Sequence, residues 1–325
     1  MVLKINQNAK NVLIIGSGSI ANQHIKNLIK LKINVLVIIK DQNEKKRFDR
    51  NTIKKIEFID DISKLKKPIF FGIIASSTYK HFEHIKILVD KKINIFCEKP
   101  ISNNLIEMKS LRKKIKSKKI FFYVNYQLQN HHLISQLIKR IKNKKIHFIK
   151  VRVGHNLKFW RKNKIRQNSY FINTKKGGGV IYELIHEINL INNIFGKIIK
   201  IKTLKKNITS DYDKYEDLAI SLFETNKKIV GTLFQDMVSK NKVRYIKVFM
   251  NNDIIKIDFI KNKIFEVKNK KTLIIKNKFL DLQKDLIKKN IENFINIINS
   301  KKFSIKFFDE AVYDLKICKM MHEKF

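Results

Sequence analysis

Five short apolar runs, at residues 12–15, 35–39, 69–75, 93–97 and 120–124, alternate with amphipathic stretches through the first 125 residues, and this alternation permits few folds. The runs are mostly rich in β-branched residues and are bounded by polar positions or glycine, so they predict strands. Residues 20–30, 78–91 and 104–116 predict the helices between them, and residues 56–59 predict one more short strand. Strands joined through helices run parallel, because the crossover needs a dozen or more residues. A doubly wound parallel sheet is therefore expected over residues 1–125.

Beyond residue 125 the pattern changes. Residues 133–142 predict a helix and 145–153 a strand, 156–176 are polar and irregular, and 180–195 predict one helix ending at Gly196. Apolar runs at 197–204, 218–223, 228–235, 245–250, 254–260, 264–267 and 272–275 follow with short polar turns, which predicts a largely antiparallel open sheet. Helices at 282–298 and 309–322 complete the pattern. The expected architecture is α/β with two domains, residues 1–125 and 126–325, and 325 residues suffice for two cores.

The formal net charge of +42 invites a nucleic-acid partner, but its distribution argues otherwise. The lysines are spread along the whole chain, as in Lys66-Lys67, Lys144-Lys145 and Lys288-Lys289, instead of crowding one face or tail. The abundance of Lys, Ile, Asn and Phe beside only 9 Gly and 2 Pro follows the A/T-rich codons of a biased genome. No specific nucleic-acid partner is expected. No apolar run approaches the ~20 residues that span a bilayer, so no membrane partner is expected either. Two cysteines, Cys97 and Cys318, and no visible secretory leader predict a cytoplasmic protein.

Residues 12–21, VLIIGSGSIA, read as a strand, a phosphate-binding turn and a helix start. Gly16 permits the tight turn, Gly18 admits a pyrophosphate close to the backbone, and Ser19 and Ile20 open the helix whose N–H groups face the negative charge. A residue about 20 positions on selects between dinucleotides at the end of the second strand. Lys40 there favours the 2′-phosphate of NADP, whereas Asp41 turned inward would grip the ribose hydroxyl of NAD. Charge complementarity favours NADP over NAD.

Two further segments carry chemistry. Cys97-Glu98-Lys99-Pro100 puts a lysine in the loop after a strand, and Gly177-Gly178-Gly179 precedes Glu183 and His186, which a continuous helix would place on one face. Oxidising an alcohol requires removal of its proton as hydride departs, so His186 is the candidate base and Lys99 the candidate donor to the substrate oxygen. Glu183 either orients the imidazole, binds a sugar hydroxyl, or is a plain i, i+3 surface partner. Cys97 reads as a small core residue. His81 and His84 lack further ligands, so no metal is expected.

Taken in order, the Gly16-to-Ala21 turn with His24, Ile74-Ala75-Ser76-Ser77-Thr78 running to His81, Glu98-Lys99-Pro100, Trp160-Arg161, and Gly177-Gly178-Gly179 with Glu183 and His186 resemble the Gfo/Idh/MocA oxidoreductases along nearly the whole chain. The resemblance implies a Rossmann domain followed by an α/β domain whose open sheet supports homodimers or homotetramers. It implies NAD(P)-linked oxidation or reduction of a carbohydrate, nucleotide-sugar or polyol. It also implies cofactor contacts at Ser76, Thr78, His81, Glu98, Trp160 and Arg161. Gln129 and His132 stand where an arginine and a proline are frequent, and the Glu-x-x-His spacing resembles a subgroup associated with surface-polysaccharide biosynthesis.

Overall fold

The computed structural model describes residues 10–323, apart from 40, 107, 161–168, 210–214, 252, 269–270 and 278–282. The chain divides into two compact units, Met1–Asn125 with Gln283–Asp309, and Tyr126–Leu282 with Glu310–Phe325.

In the first unit, strands β1 (Asn11–Ile15), β2 (Asn34–Ile38), β3 (Ile56–Ile59), β4 (Ile69–Ile74), β5 (Ile95–Cys97) and β6 (Phe122–Val124) form an all-parallel sheet in the order β3-β2-β1-β4-β5-β6. Strand order reverses direction beside β1, between β1 and β4, and ligands of such sheets bind outside the carboxyl ends of the strands at that point. Helix α1 (Ser19–Lys30) buries Ala21, Ile25 and Leu28, a stripe at i, i+4 and i+7 that seals one face. The short helices α2 (Gln42–Lys45) and α3 (Arg50–Ile53) follow β2, while α4 (His81–Asp90) and α5 (Met108–Ser117) complete the crossovers.

The second unit holds α6 (His132–Ile141), β7 (Ile146–Gly154), α7 (Leu157–Trp160), α8 (Val180–Glu183) and α9 (His186–Ile194). Seven more strands follow: β8 (Ile198–Lys206), β9 (Leu218–Thr225), β10 (Val230–Asp236), β11 (Val243–Met250), β12 (Asp253–Asp258), β13 (Lys263–Lys268) and β14 (Lys271–Lys276). Their sheet has the order β14-β13-β12-β11-β7-β10-β9-β8, and only β7 and β10 pair in parallel. This is the largely antiparallel sheet that the alternating runs predict.

Two elements depart from the sequence expectation. Helix α10 (Gln283–Asn299) belongs to the first unit, although its place in the chain assigns it to the second domain. Its stripe of Ile287, Ile291, Phe294 and Ile295 is buried in the core of the parallel sheet, with the Phe294 ring edge-on to Phe71 at 5.3 Å. Burial of each such side chain contributes about 1.5–3 kcal/mol. The helix expected over 180–195 is two helices, α8 and α9, separated at Leu184, where φ is −104° and ψ 31°. The chain ends in α11 (Lys306–His322), within which the division between the units falls. Among the described residues no helix is long and apolar enough to cross a membrane.

Candidate active-site residues

The glycine turn between β1 and α1 is built as a phosphate cradle. Gly16 has φ +134°, a region closed to most L residues, and a Cβ there would come within 2.5 Å of the Ala75 carbonyl oxygen at the end of β4. Gly18 instead faces open space, with nothing within 4 Å of where a Cβ would sit. It is the extended N-cap residue of α1 and offers no side-chain cap, so the amides of the first turn remain available to an anion. These features fit a bound pyrophosphate. Ser19 is exposed at this turn, whereas Ile20 packs its side chain against the core.

At the end of β2, Asp41 serves its own helix. The Asp41 side chain does not turn inward to a ribose: its Oδ1 accepts from the Asn43 amide at 2.7 Å and the Glu44 amide at 3.0 Å, capping α2. Lys40 lies outside the described residues. Among the described residues, Arg47 reaches the glycine turn, where its Nη1 donates to Ser17 Oγ at 2.8 Å. No spacing rule in the sequence picks out Arg47, because α2 and the turn after it bring it back.

At the carboxyl ends of β4 and β5, the expected cofactor residues form a fitted scaffold. Glu98 is buried, and its Oε1 accepts from His24 Nε2 and from Asn125 Nδ2, each at 2.7 Å. Asn125 in turn accepts from Asn290 of α10 at 2.6 Å. Burial alone would raise the Glu98 carboxyl, but the His24 hydrogen bond, Asn125 and the Lys99 charge outweigh it and hold it below its ordinary value. His81 is buried with Nδ1 2.8 Å from the Pro100 carbonyl and Nε2 3.0 Å from the Ser76 carbonyl, so the ring ties the loops after β4 and β5 together. Burial holds this imidazole below its usual range against the opposing pull of both carbonyls. Ser76 Oγ meets His84 Nδ1 at 2.9 Å, and Thr78 is buried at the start of the turn that leads into α4. Lys99 follows Glu98, half-buried. Cys97 is buried, and burial pushes its thiol well up, as suits a core residue and not a nucleophile.

In the second unit the triple glycine is a packing device. Gly179, at φ +88°, lies against the Glu216 carboxylate, where a Cβ would collide with Oε1. Glu216 is itself held by Thr174 Oγ1 at 2.6 Å and the Ile181 amide at 3.3 Å, and burial pushes its carboxyl up. Glu183 ends α8 and His186 begins α9, both buried, so they do not share the face of one continuous helix. The break exposes the Leu184 carbonyl, which accepts from the buried Gln235 Nε2 of β10 at 2.9 Å. The Tyr126 ring lies edge-on to His186 at 6.0 Å. Glu187, beside His186, forms an ion pair with Arg244 of β11 at 2.7 Å and anchors the start of α9 to the sheet. Trp160 is half-buried and stacks on His155, with centroids 6.1 Å apart, whereas Arg161 lies outside the described residues. Lys99 belongs to the first unit, and His186 and Glu183 to the second.

Residues 10–126 match the model of an oxidoreductase family with an NAD-binding Rossmann fold, Gfo/Idh/MocA. Over that segment the chain is similar to the Gfo/Idh/MocA oxidoreductases. The glucose-6-phosphate 3-dehydrogenase of Bacillus subtilis (strain 168) is 26% identical over 250 residues, which cover 72% of this chain, and the match spans 65% of that relative's length. Among solved structures, myo-inositol 2-dehydrogenase from Lactobacillus plantarum superposes with a TM-score of 0.79 at 17% identity, over 97% of this chain and 96% of that one. UDP-N-acetylglucosamine 3-dehydrogenase from Acidithiobacillus ferrooxidans gives 0.78 at 14% identity over 96% of each chain. At these identities the two structures speak to the fold alone, and the likeness extends over both sheets.

Proposed function

We propose that this protein is an NAD(P)-dependent oxidoreductase that moves hydride to or from a secondary alcohol of a sugar or nucleotide-sugar. The observation that carries this is the glycine turn: a strained Gly16 closes it, an open Gly18 face and uncapped amides of α1 await an anion, and the segment is the one that matches the NAD-binding family model. When bound, the nicotinamide supplies the hydride acceptor or donor. Gly16, Gly18, Ser19 and the backbone of Ile20 hold the pyrophosphate, and Ser76 and Thr78 line the neighbouring loop. In oxidation, Lys99 donates a hydrogen bond to the substrate oxygen and His186 takes the hydroxyl proton as the C–H electron pair departs. In reduction the same proton returns. Glu98, Asn125 and His81 act on the chemistry only through the loop that carries Lys99.

The finer assignments follow from charge. Arg47 at the glycine turn, with Asp41 committed to its helix cap, supports NADP over NAD. A carbohydrate with a phosphate or diphosphate suits the basic chain and accords with the sugar-phosphate named for the Bacillus relative. A role in surface-polysaccharide synthesis, a homodimeric or homotetrameric state and a cytoplasmic location belong to the same proposal.

The test is titration of the cofactor-stripped protein with NADH and NADPH at physiological salt, followed by turnover on sugar phosphates, nucleotide-sugars and free polyols. Saturable binding with turnover on one of these classes is expected. Folded protein that binds neither dinucleotide would refute the proposal. His186→Ala should lower turnover at least ~100-fold with cofactor affinity nearly unchanged.

A further inference from the structure

Helix α9 carries a buried polar stripe. His186, Asn189 and Asn192 recur at i, i+3 and i+6 along one face, and all three are nearly inaccessible to solvent. Buried amides need partners, and theirs is a single carboxylate from the last helix. Asp314 of α11, 0% exposed, accepts from Asn189 Nδ2 through Oδ2 at 2.6 Å and from Asn192 Nδ2 through Oδ1 at 2.7 Å. The amide oxygens are engaged in turn: Asn189 Oδ1 accepts from Gln129 Nε2 at 2.7 Å, and Asn192 Oδ1 from the Ile198 amide at 2.8 Å. The Tyr126 hydroxyl favours the ionised carboxylate, and the ring of the same tyrosine packs edge-on against His186.

A carboxylate is a costly way to fill a helix interface. Well-packed apolar residues commonly serve as well or better where stability alone matters. Here burial pushes Asp314 up to about 6, against the Asn189 and Asn192 hydrogen bonds, the Lys197 charge and Tyr126, which lower it. Among the described residues, the groups that face it include these four, with Tyr313 and Cys318 from its own helix. Lys197 Nζ lies over the Tyr313 ring at 5.0 Å, and the Tyr313 hydroxyl donates to the Ile198 carbonyl at 2.6 Å, so the cluster is closed around the end of α9.

We propose that Asp314 is a positioning residue for His186, fixing α9 through Asn189 and Asn192 and the imidazole through Tyr126, and thereby setting the pH at which His186 changes protonation. The proposal rests on the assignment of proton transfer to His186. The Asp314 carboxylate, ionised above about 6, favours the imidazolium, so its removal lowers the His186 midpoint.

The experiment is an NMR titration of the full-length protein, with the His186 signal assigned by its loss in His186→Ala, alongside pH profiles of kcat and KM. Asp314→Asn removes the charge at nearly constant shape, and Tyr126→Phe keeps the ring against His186 while removing the hydroxyl. Both are expected to lower the His186 midpoint by about half a pH unit and to move the acidic limb of kcat by the same amount, with KM little changed. If folded Asp314→Asn and Tyr126→Phe leave midpoint and limb in place, even with reduced stability, the proposal is overturned. Should Asp314→Asn not fold, Tyr126→Phe decides alone. Turnover that survives His186→Ala would refute the proton-transfer assignment itself, while the NMR midpoint, which needs no turnover, still decides the positioning role.

Discussion

His24 donates from Nε2 to Glu98 Oε1 across 2.7 Å in the sealed interior of the first unit, so the acidic residue beside Lys99 is bound to a helix that begins at the glycine turn. The direction of donation is fixed, because an ionised carboxylate only accepts. Asn125 donates to the same oxygen. Glu98→Ala strands both donors and should cost about 3 kcal/mol, since each buried unsatisfied group costs about 1–3. Glu98→Gln keeps an oxygen for both and should cost less than half as much. Chemical denaturation measures both, and equal losses would show that the charge, not the shared acceptor, holds the loop.

Glu98 and Asp314 should give the fold opposite responses to acid. Glu98 is held below its ordinary 4.5, so its contribution is present above that value and lost as pH falls through the lower folded value. Asp314 is raised from 3.8 to about 6, so the folded state binds the extra proton between those values. Its contribution is complete below 3.8 and lost as pH rises through about 6, on the order of 3 kcal/mol. Asp314→Asn should therefore flatten the stability profile between pH 4 and 6. An unchanged slope in denaturation curves across that window would contradict the assignment.

Gly16 and Gly18 should tolerate alanine differently. Gly16→Ala forces an L residue to φ +134° against the fixed backbone of Ala75 and should cost about 2 kcal/mol or more in stability. Gly18→Ala meets open space at an extended backbone, so the fold should keep its Tm while dinucleotide affinity falls. Thermal melts beside an NADH titration separate the two, and a Gly18→Ala protein with unaltered affinity would place the pyrophosphate elsewhere.

Arg47→Ala should weaken NADPH binding about tenfold and leave NADH nearly unaffected, the loss expected for one charge-assisted contact. Equal effects on the two dinucleotides would assign Arg47 to supporting Ser17 alone.

Strand positions in the first 125 residues were legible because apolar runs in a parallel sheet are buried on both faces and stand out from amphipathic helices. The return of α10 was not, since the stripe Ile287, Ile291, Phe294 and Ile295 declares a buried face without naming what covers it. The apolar pattern of 180–195 is continuous, and the accommodation of its break depends on Gln235, some fifty residues on. Likewise the sequence places Asp41 at a useful distance from the glycine turn, but its carboxylate is bound by amides two and three residues away. The His-x-x-Asn-x-x-Asn stripe of α9 was readable in principle. Its partner, Asp314, had no local mark.

Because α10 packs onto the parallel sheet from beyond residue 282, the ribosome releases β1 through β6 long before the helix that covers Phe71 and Phe96 exists. At about 5–20 residues per second, the sheet waits roughly ten seconds or more while residues 126–282 are made. During that interval its apolar face is open to chaperones and to other nascent chains. A helix made some 160 residues after β6 thus governs when the earlier-made sheet is safe from aggregation.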